Sequence, residues 1–345
     1  EGEVSDEGDP VTDLARPTAG TLIFSDILGL VGPKLRAVEE EVARNLRSEI
    51  GVIDELGSYL ANGGGKRVRP LLLLLSAQMA GYRGDRDVLF ASVFEFIHTA
   101  TLVHDDIIDE ASLRRGRSSL NAAWGNGITV LLGDYLYIKS MSMALTADDL
   151  RIIKILAEIT LRMIEGEMIQ SRRVGDIGMT AGEQLEIVRR KTACLFSGCS
   201  LVGGVLANAG PEKEEALRSY GMNLGMSFQI VDDMLDFTAD EKTLGKPVAS
   251  DLREGKLTLP LIYLMERGNP EHRARVAAVM EDRDFSRVKS EEIVALVREN
   301  GTLERTRELA RQYGERARME LRCFPDCVAR RALESLPDLI LSRDR

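Results

Sequence analysis

An all-α protein is predicted by three features of the 345-residue sequence. Apolar residues recur at three-and-four spacing through most of the chain, as on one face of a helix. Runs of β-branched residues with period two, and hairpin dipeptides between such runs, do not appear. Gly or Pro stops cut the apolar segments at short intervals. In chain order, residues 1–18 are acidic and broken by Gly and Pro, the composition of a disordered tail. Residues 19–345 are expected to form one domain, because no linker interrupts them. The stretch "VGPKLRAVEEEVARNLRSEI" carries an apolar stripe with charges opposite, as a surface helix does. Stops follow at 62–65, 81–85, 114–117, 124–127, 174–178, 208–211, 244–247 and 267–270. The segments 128–173 and 183–237 are apolar around much of their circumference and belong inside. Charge rises after residue 270, and "RTRELARQYGERARMEL" reads as a peripheral helix.

A net charge of −10 leaves no basic surplus to neutralise a phosphate backbone, which excludes a nucleic-acid binder. The four cysteines (Cys194, Cys199, Cys323 and Cys327) have no metal-ligand spacing and no nearby histidine, and read as reduced thiols. The longest apolar run, "PLLLLLSAQMAG", is too short to span a bilayer, and no secretory signal is recognisable, so a cytoplasmic protein is expected.

Two short motifs ask for chemistry. "LVHDDIIDE" places Asp105, Asp106 and Asp109 among apolar residues, and "QIVDDMLDF" does the same with Asp232, Asp233 and Asp236. On a helix, residues four apart are neighbours, so Asp105 faces Asp109 and Asp232 faces Asp236. Like charges so placed repel, more strongly where burial removes water. A solvated acidic face would account for one such cluster. Two clusters with the same spacing and apolar flanks are better explained by divalent cations, with magnesium fitting carboxylates completed by phosphate and water.

Cations for phosphate stand close to Gly breaks or to these motifs: Lys66, Arg67 and Arg69 in "GGGKRVRP", Arg114 and Arg115 in "LRRGR", Lys191 in "RRKT", Lys246 in "LGKP" and Lys256 in "REGK". Each alone reads as a surface charge; together they suffice for two diphosphates. No GxxxxGK[ST] is present, which argues against nucleotide hydrolysis.

In order, "GGGKRVRP", "FIHTATLVHDDIIDEASLRRG", "GDYLY", "KTACLF", "FQIVDDMLDF" and "GKPVASDLREGKLTLPLIY" resemble the signatures of the trans-isoprenyl diphosphate synthases, over residues 25–345. The resemblance implies the isoprenoid synthase helical bundle, with both aspartate motifs facing a deep central cavity, and a homodimer by family habit. It implies head-to-tail condensation of isopentenyl diphosphate with an allylic diphosphate, three magnesium ions being held by Asp105, Asp109, Asp232 and Asp236, with Asp106 and Asp233 ligating or orienting. It assigns Arg114, Lys191, Thr192, Gln229, Lys246 and Lys256 to the allylic diphosphate. Lys66, Arg69, His98 and Arg115 fall to isopentenyl diphosphate; without the resemblance, His98 reads as a core histidine.

Product length is tied by the same resemblance to the residues four and five before the first aspartate. Here they are Thr101 and Ala100, both small, as in long-chain synthases, with Met141 and Met143 as candidates for a deeper floor. A farnesyl- or geranylgeranyl-length product is the alternative. A terpene cyclase would lack the second aspartate motif and "GGGKRVRP", a regulatory subunit would have lost aspartate or cation motifs, and a helical scaffold would need neither.

Overall fold

The computed structural model describes residues 22–61, 67–114, 117–238 and 248–343. The expected tail at 1–18, together with Lys66, Arg115 and Lys246, lies outside the described residues. Helices α1 (Phe24–Leu46), α2 (Gly51–Ala61), α3 (Val68–Met79) and α4 (Arg86–Ile108) come first. Next come α5 (Leu120–Trp124), α6 (Asn126–Leu145), α7 (Leu150–Arg173) and α8 (Ala181–Val188). A π-helical turn, Arg189–Ala193, joins α8 to α9 (Cys194–Leu206) without a break, and α10 (Pro211–Thr238) is the longest helix described. Then follow α11 (Ser250–Arg253), α12 (Leu259–Glu266), α13 (Pro270–Asp282), α14 (Ser290–Glu299), α15 (Thr302–Glu320) and α16 (Val328–Leu341). The expected all-helical architecture is found, with one local difference. Where a Gly stop was read at 114–117, β1 (Leu113–Arg114) and β2 (Arg117–Ser118) pair antiparallel, Leu113 opposite Ser118 and Arg114 opposite Arg117.

Local chemistry sets several helix starts. Asp149 caps α7 by accepting from the Arg151 and Ile152 amides, and Thr180 and Glu183 form a reciprocal capping box on α8. The core gathers where apolar stripes face inward. The Pro70–Ala77 run of α3 is buried throughout, and α3 packs on α4 and α9 while α4 lies along α6 and α10 along α9 and α15. Tyr220 on α10 donates across the core to the Leu333 carbonyl of α16, at 2.7 Å. A second apolar cluster, around Phe237, Leu252, Leu261, Val276 and Ile293, closes the end near α11–α14. Among the described residues no helix is long and apolar enough to cross a membrane.

Every residue of α9 is buried, and glycines set how near its neighbours come. A Cβ on Gly203 would lie 2.8 Å from the Ala77 amide nitrogen of α3, and one on Gly204 would lie 2.7 Å from Leu217 Cδ1 of α10. From the α10 side, a Cβ on Gly221 would meet the Phe196 carbonyl oxygen and lie 2.7 Å from Ser197 Cα. These are backbone atoms of a packed helix and cannot step aside singly. Gly221→Ala is therefore expected to lower the free energy of unfolding by about 1–3 kcal/mol, measured by urea titration with the m-value unchanged. A wild-type midpoint would show that α9 and α10 can separate without loss.

Candidate active site

The two aspartate motifs lie at helix C-terminal ends. Asp105 and Asp106 fall in the last turn of α4, and Asp109 is its C-cap, its amide donating to the Asp105 carbonyl at 2.8 Å. Asp232, Asp233 and Asp236 fall in the last two turns of α10, which ends at Thr238. The helix macrodipole puts negative partial charge at both places, so carboxylates there oppose the fold and favour a cation. The helical i, i+4 neighbours expected from sequence are present, but the first motif terminates its helix instead of continuing within it. Glu110 completes that stop in a left-handed conformation, φ +49°, without the glycine that would have announced it.

Lysines and backbone amides hold these carboxylates. Lys256 Nζ donates to Asp109 Oδ1 at 2.7 Å and to Glu254 Oε2 at 2.9 Å. Burial disfavours the Lys256 ammonium, but Asp109 and Glu254 more than offset this and raise its pKa. Arg114 Nε reaches Asp106 Oδ1 at 2.5 Å. Lys191 Nζ lies 3.5 Å from Asp105 Oδ1. Burial, then the nearby Glu167 and Asp109 carboxylates, outweigh that lysine and push the Asp105 carboxyl up to about 6.

On the second motif, Asp233 is buried and accepts from Gln229 Nε2 at 2.9 Å and Gln184 Nε2 at 3.3 Å. Its carboxyl is pushed up to about 8 by burial and then by Asp251. Asp236 is buried and caps α11, accepting from the Ser250 amide (3.2 Å) and hydroxyl (2.9 Å) and from the Asp251 amide (3.1 Å). Asp232 is the exposed member, with the Arg343 guanidinium 3.7 Å away.

Two bridges thus join the motifs. Along one, Lys191 approaches Asp105 at 3.5 Å, while the adjacent Thr192 hydroxyl donates to Gln229 Oε1 at 3.0 Å and Gln229 donates on to Asp233. Along the other, the 250–256 segment caps Asp236 at its start and pairs with Asp109 through Lys256 at its end. The structure therefore assembles Asp105, Asp106, Asp109, Arg114, Lys191, Thr192, Gln229, Asp233, Asp236 and Lys256 into one ring. Among the described residues no three carboxylate, thiol or imidazole groups already surround one point.

Arg69 stacks over the Phe196 ring at 5.1 Å, and its buried Nε has no hydrogen-bond partner among the described residues. His98 lies half-buried on α4. Ala100 is buried on the same helix and Thr101 half-buried beside it, its hydroxyl donating to the His98 carbonyl at 2.7 Å.

Sequence reasoning missed four residues at this site. Glu167 and Gln170 of α7 hold Lys191, the first in a close ion pair and the second accepting at 2.8 Å. His104, next to Asp105, meets the Val130 carbonyl at 3.2 Å and Asp134 Oδ1 at 3.4 Å. Arg343 stacks on Phe228 at 4.8 Å, beside the Arg69–Phe196 pair. Only "EGE" on an otherwise regular helix contains the first of them, and it reads as an ordinary charged face.

A family profile described as "Polyprenyl synthetase" matches residues 51–297. The chain is 38% identical over 316 residues to the octaprenyl diphosphate synthase of Escherichia coli (strain K12), covering 92% of this chain and 98% of that protein. Among solved structures it is similar to a polyprenyl synthase from Caulobacter crescentus CB15 complexed with calcium and isoprenyl diphosphate, at a TM-score of 0.90 and 35% identity, over 95% of this chain and 100% of that one. A decaprenyl diphosphate synthase from Rhodobacter capsulatus superposes at a TM-score of 0.87 with 37% identity, over 93% and 99%.

Proposed function

The chain belongs to the polyprenyl synthetase family, and from that premise we propose that it condenses isopentenyl diphosphate head to tail with an allylic diphosphate, repeatedly, to make a long trans-polyprenyl diphosphate. One observation carries the reading: carboxylates on the C-terminal ends of two helices, tied to each other through segments that bear Lys191 and Lys256. A reaction whose leaving group is a diphosphate needs both signs of charge within one site.

The donor set fits magnesium. It consists of carboxylate oxygens, without thiolate or imidazole, at places where the helix dipoles add negative potential. Asp105, Asp109 and Asp232 would hold the ions, three in number. Asp106, Asp233 and Asp236, whose oxygens are engaged by Arg114, by the two glutamines and by the Ser250 turn, brace the helix ends. When bound, magnesium supplies the positive charge that lets the allylic diphosphate leave.

The chain's own groups do the rest. Lys191, Lys256, Arg114 and Thr192 orient the allylic diphosphate, with Gln229 fixing the Thr192 hydroxyl. Lys246 belongs with them by position. Arg69, with its unmade hydrogen bond, together with His98, Lys66 and Arg115, takes isopentenyl diphosphate. The allylic C–O bond breaks, the alkene attacks the cation, and the proton released goes to the departing diphosphate. The cation requires walls that keep water away from it.

The test is mass spectrometry of products from labelled isopentenyl diphosphate, a farnesyl primer and magnesium. Long polyprenyl diphosphates that disappear with chelator support the reading. A short product keeps the chemistry and removes the length assignment, and no elongation with any allylic primer removes the whole.

A homodimer belongs to the same proposal. On α6, Leu131, Ile138 and Leu145 recur every seven residues on one exposed face, and on α7 Leu161, Ile164 and Met168 share one exposed face at spacings of three and four. All six are more than half exposed. An apolar surface this continuous on consecutive helices suits a second copy of the same face. Ile138→Asp is expected to halve the mass seen by light scattering after size exclusion; an unchanged mass places the interface elsewhere.

A further inference from the structure

Gly166 brings α7 against the π-helical turn at closer range than any side chain allows. A Cβ on Gly166 would lie 2.7 Å from the Lys191 amide nitrogen and 2.8 Å from Arg190 Cβ. The turn is wider than an α-helical one, a form found mostly at functional sites, and it sends consecutive side chains to different helices. Lys191 points to α4 and α7, Thr192 to α10, and Arg190 to Glu165 and Glu186. The ammonium of Lys191 has three donors, and three oxygens surround it. Glu167 pairs with it closely, Gln170 Oε1 accepts at 2.8 Å, and Asp105 Oδ1 stands at 3.5 Å, outside hydrogen-bonding range. The lysine is held by α7 and only approached by the aspartate motif.

The proposed reaction asks Lys191 to face a diphosphate and Asp105 to face a cation, and neither can do so while bound to the other. We propose that Glu167, seconded by Gln170, is a positioning residue that keeps Lys191 off the metal-binding carboxylate. Glu167 gives the ammonium a carboxylate partner that is not itself needed for the cation. As Asp105 turns to magnesium, Lys191 therefore stays in place over the allylic diphosphate. Without Glu167 the only carboxylate left to the lysine among the described residues is Asp105, and lysine and magnesium compete for it. Lys191 and Asp105 are buried enough (side chains 24% and 18% exposed) for the competition to be little screened. This role rests on the prenyl-transfer reading above.

The test is calorimetric titration of magnesium into the full-length protein with farnesyl S-thiolodiphosphate, an allylic analogue that resists ionisation. Glu167→Gln is expected to weaken magnesium binding about tenfold, and Glu167→Asp, which keeps the charge, to recover most of it. In turnover assays the KM for the allylic substrate rises while that for isopentenyl diphosphate does not move. Adding Glu167→Gln to Lys191→Met is expected to have no further effect on binding, because Glu167 acts through the lysine. Additive losses overturn the proposal in favour of a direct contact between Glu167 and the cation, and wild-type affinity in Glu167→Gln overturns it outright. Equal rises in both KM values overturn it as a general disturbance of the fold. If the wild-type protein does not bind the analogue with magnesium, it is the prenyl-transfer reading that fails.

Discussion

Asp105→Asn is expected to lower kcat by about three orders of magnitude while making the metal-free protein harder to unfold at neutral pH. The first effect follows, on the proposed reading, from losing one anionic ligand where charge on the departing diphosphate must be neutralised. Removing one preorganised electrostatic contact to developing charge costs about 10²–10³ in rate, and a carboxylate that would hold the cation costs at least as much. The second follows from the placement of the aspartate. Its carboxyl is pushed up to about 6 from 3.8, first by burial and then by Glu167 and Asp109, with Lys191 opposing, and it sits at the negative end of α4. The native state thus binds this proton more tightly than the unfolded chain does. Stability is lost as pH rises from about 4 through 6 and stays lost above. Asparagine keeps the shape and removes the ionisation. In chelating buffer at pH 7.5 the variant's melting temperature should exceed that of the wild type, and below pH 4 the two should converge. An unstable variant at neutral pH would mean that the Asp105–Lys191 pair holds the fold together.

Ala100→Tyr is expected to cut the product from long-chain to a few isoprene units, with the rate of the first condensation retained. Ala100 lies five residues before Asp105, about 7.5 Å along the α4 axis, and is buried. A phenol there blocks a chain growing down past the reacting carbon without touching the diphosphates. Two readouts separate a wall from ordinary core. If Ala100 borders the product cavity, the ring enters space already reserved for hydrocarbon and the unfolding midpoint barely moves. If it is packed against neighbours, overpacking costs about 1–3 kcal/mol. An unchanged product distribution removes Ala100 and Thr101 from length control. The floor would then lie with α6, where Met143 is buried and Met141 half-buried.

The helices and the aspartates were legible in the sequence because each leaves a signal that survives without context. Apolar stripes report burial, Gly and Pro report stops, and paired carboxylates in apolar surroundings mark a place that a cation would suit. What escaped notice depends on atoms brought together by the fold. "RRKTA" continues the periodicity of its flanks, so the surplus residue that makes a π-helical turn is invisible. Glu167 and Gln170 look like any polar face until Gly166 lets α7 reach Lys191. Asp236 reads as the equal of Asp232, yet one caps α11 and the other is exposed. The end of α4 at Asp109 carried no glycine, because Glu110 takes the left-handed conformation itself.

The complete burial of α9 has a consequence for how its sequence can vary. A half-exposed helix knows which way to turn because water favours one side of it. A helix with no wet side has no such compass, and its azimuth must be keyed mechanically, by notches. Gly198, Gly203 and Gly204 are those notches, cut where Ile159, the backbone of α3 and Leu217 come through. Shuffling the residues of this helix among themselves would preserve its length, composition and mean hydropathy, and would still jam the bundle. Neutral drift in α9 is thus confined less by greasiness than by the positions at which nothing protrudes.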